Sequence, residues 1–284
     1  MLLRLGFEIA LRLVQPTPVV VMLDVHDTHQ ADILSRQPLR SWPDVPLRQY
    51  RDGFGNTCTR LLAPAGLLTL IADTVVRDTG PAGARPLQAV DPADDGLPFL
   101  QASRYCETAV LQARARDLFA HRPPGHAQVQ AICDHVRRSV RYGCPRADAS
   151  RGAARTLEEG CGLSRDFAHA AIALCRCLGI PARYCTGWPG ATTVREAGAP
   201  ADFPAWFEAW LDGTWHAFDA LHGTPSGSRV LVARGRDAAD VAVSSAFGPA
   251  TLERFRVWGE QAATSAGDTL PEPEPEPAPL ALAG

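Results

Sequence analysis

Glu158-Glu159-Gly160-Cys161-Gly162-Leu163-Ser164-Arg165-Asp166-Phe167-Ala168-His169 runs directly into Ala170-Ala171-Ile172-Ala173-Leu174-Cys175-Arg176-Cys177-Leu178-Gly179. Apolar positions fall at Phe167, Ala168, Ala171, Ile172, Leu174, Cys175 and Leu178. Steps of three and four residues put them on one face of an amphipathic helix, with Gly179 as its stop and Pro181 just beyond. Ser164 then sits at or near the helix N-terminus, where unpaired N–H groups and the helix dipole favour negative charge. Taken alone, the pattern describes a Ser N-cap on a buried helix.

On the C-terminal side of this helix the period changes to two. Ile180 to Trp188 reads as a strand, and Ala205 to Leu211 as another. Asp212-Gly213 is a hairpin turn signal, and Thr214 to Asp219 returns. Arg229 to Arg234 and Val241 to Phe247 add two more strands. On the N-terminal side, Val110, Leu111, Leu118 and Phe119 suggest one helix. Val129, Ile132, Cys133, Val136 and Val140 mark a second, and Pro145 to Arg155 reads as a polar loop. Residues 1 to about 100 are β-rich. Leu3, Leu5, Phe7, Ile9, Leu11 and Leu13 alternate with polar neighbours, and Val19 to Val25 follows as a more buried strand. Tyr50 to Asn56 predicts a turn before a strand at Thr57 to Leu62, and a strand pair is expected around Leu67 to Val76. Pro81 to Pro98 is a Pro/Gly/Asp-rich connector and the expected boundary. From Ser265 the chain is of low complexity, with Pro and Glu alternating over Pro271 to Pro277, which predicts a disordered tail.

Gly162-Leu163-Ser164-Arg165-Asp166-Phe167-Ala168-His169 resembles the nucleophile segment of bacterial transglutaminase-like proteins, Gly-Val-Cys-Arg-Asp-Phe-Ala-His, which opens the central helix of a papain-like core. The likeness extends to Gly179-Ile180-Pro181-Ala182-Arg183-Tyr184, to the Tyr50-Arg51-Asp52-Gly53-Phe54-Gly55-Asn56 turn, and to Ala233 through Ala242. It implies an α+β fold: an N-terminal β-rich domain over residues 1–98, then a papain-like transglutaminase core over 99–262. In that core a central helix packs on an antiparallel sheet. Residues 263–284 are left as the Pro/Glu tail. It also implies a thiolate, a histidine that activates it and an acid that orients the histidine. At the matching positions stand Ser164, Pro204 and Asp219. The thiol is a hydroxyl, the histidine of Asp-Phe-His-Ala-Trp-Phe-Glu is the proline of Asp202-Phe203-Pro204-Ala205-Trp206-Phe207-Glu208, and only the acid is retained. General-base assistance is typically worth roughly 10²–10⁴-fold, so the reading is a degenerate site and a non-catalytic cleft for a peptide or protein partner. The alternative is an active amide hydrolase or acyltransferase with Cys161 or Ser164 as nucleophile, His222 as base and Asp219 behind it. A weaker third reading is a scaffold subunit that pairs with an active paralogue. His169 and His216 are nearby in sequence, but helix angle and strand parity turn them away.

Composition narrows the function further. Hydrophobic residues make up 46% and charged residues 21% of 284, and the formal charge of −3 leaves no basic footprint for nucleic acid. All 28 basic residues are Arg, which rules out a Schiff-base lysine. Arg4, Glu8 and Arg12 interrupt the apolar core that a signal peptide needs, and no apolar run is long enough to cross a membrane. A cytoplasmic protein with eight reduced cysteines is therefore expected. No Cys-x-x-Cys spacing occurs, so neither a metal nor a cofactor is expected.

Overall fold

The computed structural model describes residues 1–78, 80, 96–144, 148, 150–189, 203–223 and 229–262. The tail from 263 onward and most of the Pro81–Pro98 connector lie outside the described residues.

The first half is built from β1 (Leu2–Leu13), β2 (Thr17–Val21), β3 (Ile33–Trp42), β4 (Arg48–Arg51), β5 (Thr57–Ala63) and β6 (Gly66–Arg77). The pair expected at Leu67 to Val76 is a single strand, β6, because no turn residue interrupts it. Then come α1 (Thr108–Phe119), α2 (His126–Ser139), β7 (Arg141–Tyr142), α3 (Ala153–Glu159), β8 (Cys161–Gly162) and α4 (Ser164–Cys177). The expected loop at Pro145 to Arg155 overlaps α3, too short for a periodicity to show. The chain closes with β9 (Ala182–Pro189), β10 (Ala205–Leu211), β11 (Thr214–Phe218), β12 (Arg229–Gly235), β13 (Ser244–Ala246) and β14 (Ala250–Gln261).

α4 packs on the antiparallel sheet β11-β10-β9-β12. Alternation along β10 sorts the contacts. Ala205, Phe207, Ala209 and Leu211 join the main core with α4, while Trp206 turns to the other face with Cys185 and Leu231. Every residue of α4 from Asp166 to Cys177 is buried, so the helix is enclosed and not merely amphipathic. At its end Gly179 takes φ +75°, and the N–H of Ile180 returns to the Cys175 carbonyl at 3.0 Å. This left-handed C-terminal cap is why glycine stops the helix.

The β layers are not made from the first 98 residues alone. β14 pairs along the whole of β1 in the sheet β14-β1-β6-β3, and β13 pairs with β2 in the sheet β13-β2-β5-β4. β1 is consequently covered on both edges, and its centre is buried throughout. One continuous apolar core runs from Leu3 through α2 and α4 to Val257.

Candidate active site

Four local devices fix the start of α4. α3 ends at Gly160, whose φ of +65° turns the chain, and β7 and β8 then pair in parallel, with Arg141 beside Cys161 and Tyr142 beside Gly162. A disulfide joins Cys144 to Cys161, with Cα atoms 5.6 Å apart. Finally, the Asp166 carboxylate accepts the Leu163 N–H at 2.8 Å, a side chain at N3 reaching back to the residue that enters the helix. Gly162 makes room for this, since a Cβ there would lie 2.7 Å from that of Asp166. The N-cap is Leu163 and Ser164 is the first helical residue, partly exposed. Among the described residues none hydrogen-bonds its hydroxyl.

Two expectations need correcting here. The cysteines were expected to be reduced, yet Cys144 and Cys161 are bonded. Parallel pairing of β7 with β8 brings them together, and a separation of 17 residues gives no sign of it in the sequence. The fallback nucleophile Cys161 therefore has no free thiol. The other six cysteines are free and buried, among them Cys175, whose thiol is shifted upward by burial.

Pro204 stands immediately before β10, partly buried, and its carbonyl accepts from the Thr186 hydroxyl at 3.3 Å. Phe207 is opposite Phe218, so extending that register by one residue sets Asp219 level with Trp206 and two residues from Pro204. Asp219 is 1% exposed. Its Oδ1 accepts the N–H groups of Leu221 at 2.8 Å and His222 at 3.0 Å. Its Oδ2 lies 2.8 Å from His222 Nδ1 and also pairs with the Arg229 guanidinium. Burial would raise this carboxyl, but the His222 hydrogen bond and the Arg229 charge outweigh it and hold the pKa down at about 2. The Asp219 carboxylate takes Nδ1 of His222, whose side chain is 47% exposed. Arg229 escaped the sequence reading, because a basic residue opening a strand carries no signal of its partner.

His169 is buried and structural. Its Nε2 accepts the Ala238 N–H at 3.1 Å, its ring is flanked by Tyr105 and Tyr184, and burial lowers its pKa to about 3. His216 instead lies edge-on to His126 of α2. Among the described residues no group of three or more His, Cys, Asp or Glu side chains could hold a metal ion, and no helix is long and apolar enough to cross a membrane.

A central helix packed on an antiparallel sheet, with a candidate nucleophile position at its start and a buried acid just past the return strand β11, is the arrangement of a transglutaminase-like core. The model of the transglutaminase-like superfamily matches residues 112–220, a span that contains Ser164, Pro204 and Asp219. The fold is similar over 95% of this chain and 92% of the other to the crystal structure of a candidate cysteine protease from Cytophaga hutchinsonii, at 31% identity and a TM-score of 0.77. An uncharacterized protein of Mycobacterium leprae is 26% identical over 226 residues, 76% of this chain and 80% of that one. An uncharacterized protein of Mycobacterium tuberculosis is 27% identical over 219 residues, 67% of this chain and 68% of that one. The chain belongs to the transglutaminase-like superfamily.

Proposed function

We propose that this protein is a transglutaminase-like family member whose catalytic site is degenerate, and that its cleft binds a peptide or protein partner without turning it over. The observation that carries this reading is the pair of replacements at the helix start and the strand entry. Ser164 offers a hydroxyl that no described residue hydrogen-bonds, and Pro204 offers neither a base nor an N–H. A serine without a general base is a poor nucleophile. Asp219, the retained acid, is already saturated by two backbone N–H groups, His222 and Arg229.

One observation favours a second reading, a serine-dependent amide hydrolase or acyltransferase. The Asp219–His222 contact of 2.8 Å is an acid–histidine pair on a half-exposed imidazole. A fluorophosphonate probe, which labels activated serines, separates the two. The binding reading expects no labelling of Ser164 in the native protein, and no alkylator-sensitive amide hydrolysis. Labelling of Ser164 that disappears in His222→Ala would replace it with the second reading. The double change Ser164→Cys with Pro204→His should restore a reactive thiol, labelled by iodoacetamide at least tenfold faster than Ser164→Cys alone. Equal rates would mean that position 204 does not face the helix start.

A further inference from the structure

A second site lies on the far side of the core sheet, at the opposite end of α4 from Ser164. Arg183 is the second residue of β9, which α4 reaches through the Leu178–Pro181 turn. Along a 14-residue helix this is roughly 20 Å from the start. Arg183 shares the β9 face with Cys185, the face turned away from α4. A cavity of about 200 Å³ opens there, lined by Gly53, Phe54, Pro98, Phe99, Arg183 and Arg234.

Its construction draws on two stretches the degenerate cleft leaves unused. In the Tyr50–Asn56 turn, Asp52 Oδ1 accepts the N–H groups of Phe54 at 2.9 Å and Asn56 at 2.8 Å. The Asn56 side chain then docks on β12, donating to the Arg234 carbonyl at 2.8 Å and accepting the Arg234 N–H at 2.9 Å. This two-way amide clasp fixes Phe54 as one wall. Phe99 packs against it, with ring centroids 6.0 Å apart, and continues the same wall.

Arg183 supplies the charge. It is 2% exposed; Nε donates to Glu208 at 2.6 Å, and the guanidinium lies 3.9 Å from the centre of the Trp215 ring. Its Nη2 is buried with no hydrogen-bond partner. A guanidinium donor left unpaired at such depth is costly unless something completes it. His26, which does not line the cavity but feels the Arg183 charge, has another buried nitrogen, Nε2, without a partner, while Nδ1 accepts the Thr28 N–H at 3.2 Å. Nδ1 as acceptor leaves Nε2 as the protonated donor of a neutral ring. Burial first, and then the charge of Arg234, lower the His26 pKa to about 3, with Arg183 contributing in the same direction. Arg183 Nη2 and His26 Nε2 are thus two buried donors without an acceptor.

We propose that this cavity binds a small organic carboxylate, its carboxylate on Arg183 and its apolar body against Phe54 and Phe99. A planar guanidinium edge matches a carboxylate. The aromatic walls suit an apolar body and disfavour a strongly hydrated dianion such as phosphate, which would lose its water without enough donors to replace it. The site is independent of whether Ser164 turns over.

Titration calorimetry of the full chain with phenylacetate, phenylacetamide and inorganic phosphate tests the proposal. Phenylacetate should bind at least tenfold more tightly than either of the others. Gly53→Trp fills the cavity mouth and leaves the Arg183–Glu208 pair intact, since a Cβ at Gly53 meets nothing within 4 Å. It should weaken phenylacetate binding at least tenfold with an unchanged melting temperature. Arg183→Lys should lose the preference for the acid over the amide, whereas Ser164→Ala should bind as the native chain does. No heat with phenylacetate, equal binding of the amide, tighter binding of phosphate, or full binding by a folded Gly53→Trp variant would each overturn the assignment.

Discussion

At the C-terminal end of α4 the Arg176 guanidinium, 4% exposed, donates to the carbonyls of Ala182, Gln101 and Arg236 and to the Ser103 hydroxyl, at 2.6 to 3.1 Å. Roughly three turns earlier, at the N-terminal end, the Ser164 hydroxyl meets no described hydrogen-bond partner. The first end binds the helix to β9, to the residues before α1 and to the loop after β12. The second end is held by the β7–β8 pair, a disulfide and the Asp166 carboxylate, and its foremost side chain has no described hydrogen-bond partner. On the proposed reading, one end of the helix keeps the fold while the other has given up its reactive groups. The Ala233–Ala242 stretch belongs to the holding end. Arg236 offers its carbonyl to Arg176, Asp237 accepts the Tyr105 N–H at 2.8 Å, and Ala238 donates to His169.

The sharpest way to break this contrast is at Arg176. Arg176→Met removes donors from three carbonyls and one hydroxyl that the packing holds in place. Unsatisfied buried polar groups cost roughly 1–3 kcal/mol each, so a loss of about 4 kcal/mol in urea unfolding is expected. A loss below about 1 kcal/mol would mean that the C-terminal end is not the anchor.

Next in size is the Cys144–Cys161 disulfide. Closing a loop with a separation of 17 residues should contribute about 3 kcal/mol through the unfolded chain. Cys144→Ser should lower stability by that amount, and amide exchange should accelerate first in β7, β8 and the start of α4. Uniform acceleration across the molecule would show that the bond acts globally and does not specifically secure the helix start.

Much of this architecture was readable because it is local. The period of α4, its stop at Gly179, the Asp212-Gly213 hairpin and the alternation of β1 each lie within one stretch of chain. What joins distant stretches was not. The pairing of β14 with β1 and the Cys144–Cys161 bond depend on which segments meet, and no spacing encodes that. At the candidate site the positions of Ser164, Pro204 and Asp219 came from a motif match, and the structure places Asp219 in the extended register of β10 with β11. The engagement of Asp219 by Arg229 was hidden, since an Arg at a strand start looks like any solvent-facing charge. The Arg183 cavity was hidden for the same reason: its walls come from four separate parts of the chain.

A smaller effect belongs to Asp219. Its folded pKa, about 2, lies below the ordinary 3.8, so the folded state binds fewer protons than the unfolded chain in that interval. The stabilisation is complete above pH 3.8 and is lost as the pH falls through 2. It amounts to about 2 kcal/mol at neutral pH. Asp219→Asn should lose about this much at pH 7 and flatten the acid limb of the stability curve between those values. An unchanged acid limb would detach Asp219 from His222 and Arg229.

The smallest effect is expected at Ser164, and it tests the idle end directly. A Ser that caps a helix costs about 1 kcal/mol when replaced by Ala. Ser164 does not occupy that position: Leu163 is the N-cap, and Asp166 provides the acceptor for the Leu163 N–H. Ser164→Ala removes a partly exposed hydroxyl with no described partner and puts a better helix former at the first turn. Its unfolding free energy should stay within about 0.5 kcal/mol of the native value. Asp166→Ala, measured beside it, should cost about 1 kcal/mol, because it strips the one carboxylate that holds the helix entry. Partner binding in the cleft should survive Ser164→Ala as well, since the proposed role asks nothing of the hydroxyl. If Ser164→Ala proves as costly as Asp166→Ala, the hydroxyl is a structural cap and the helix start is not idle. If it leaves stability intact but abolishes a measurable amide hydrolysis, the hydroxyl is a nucleophile, and the His222–Asp219 pair is its base.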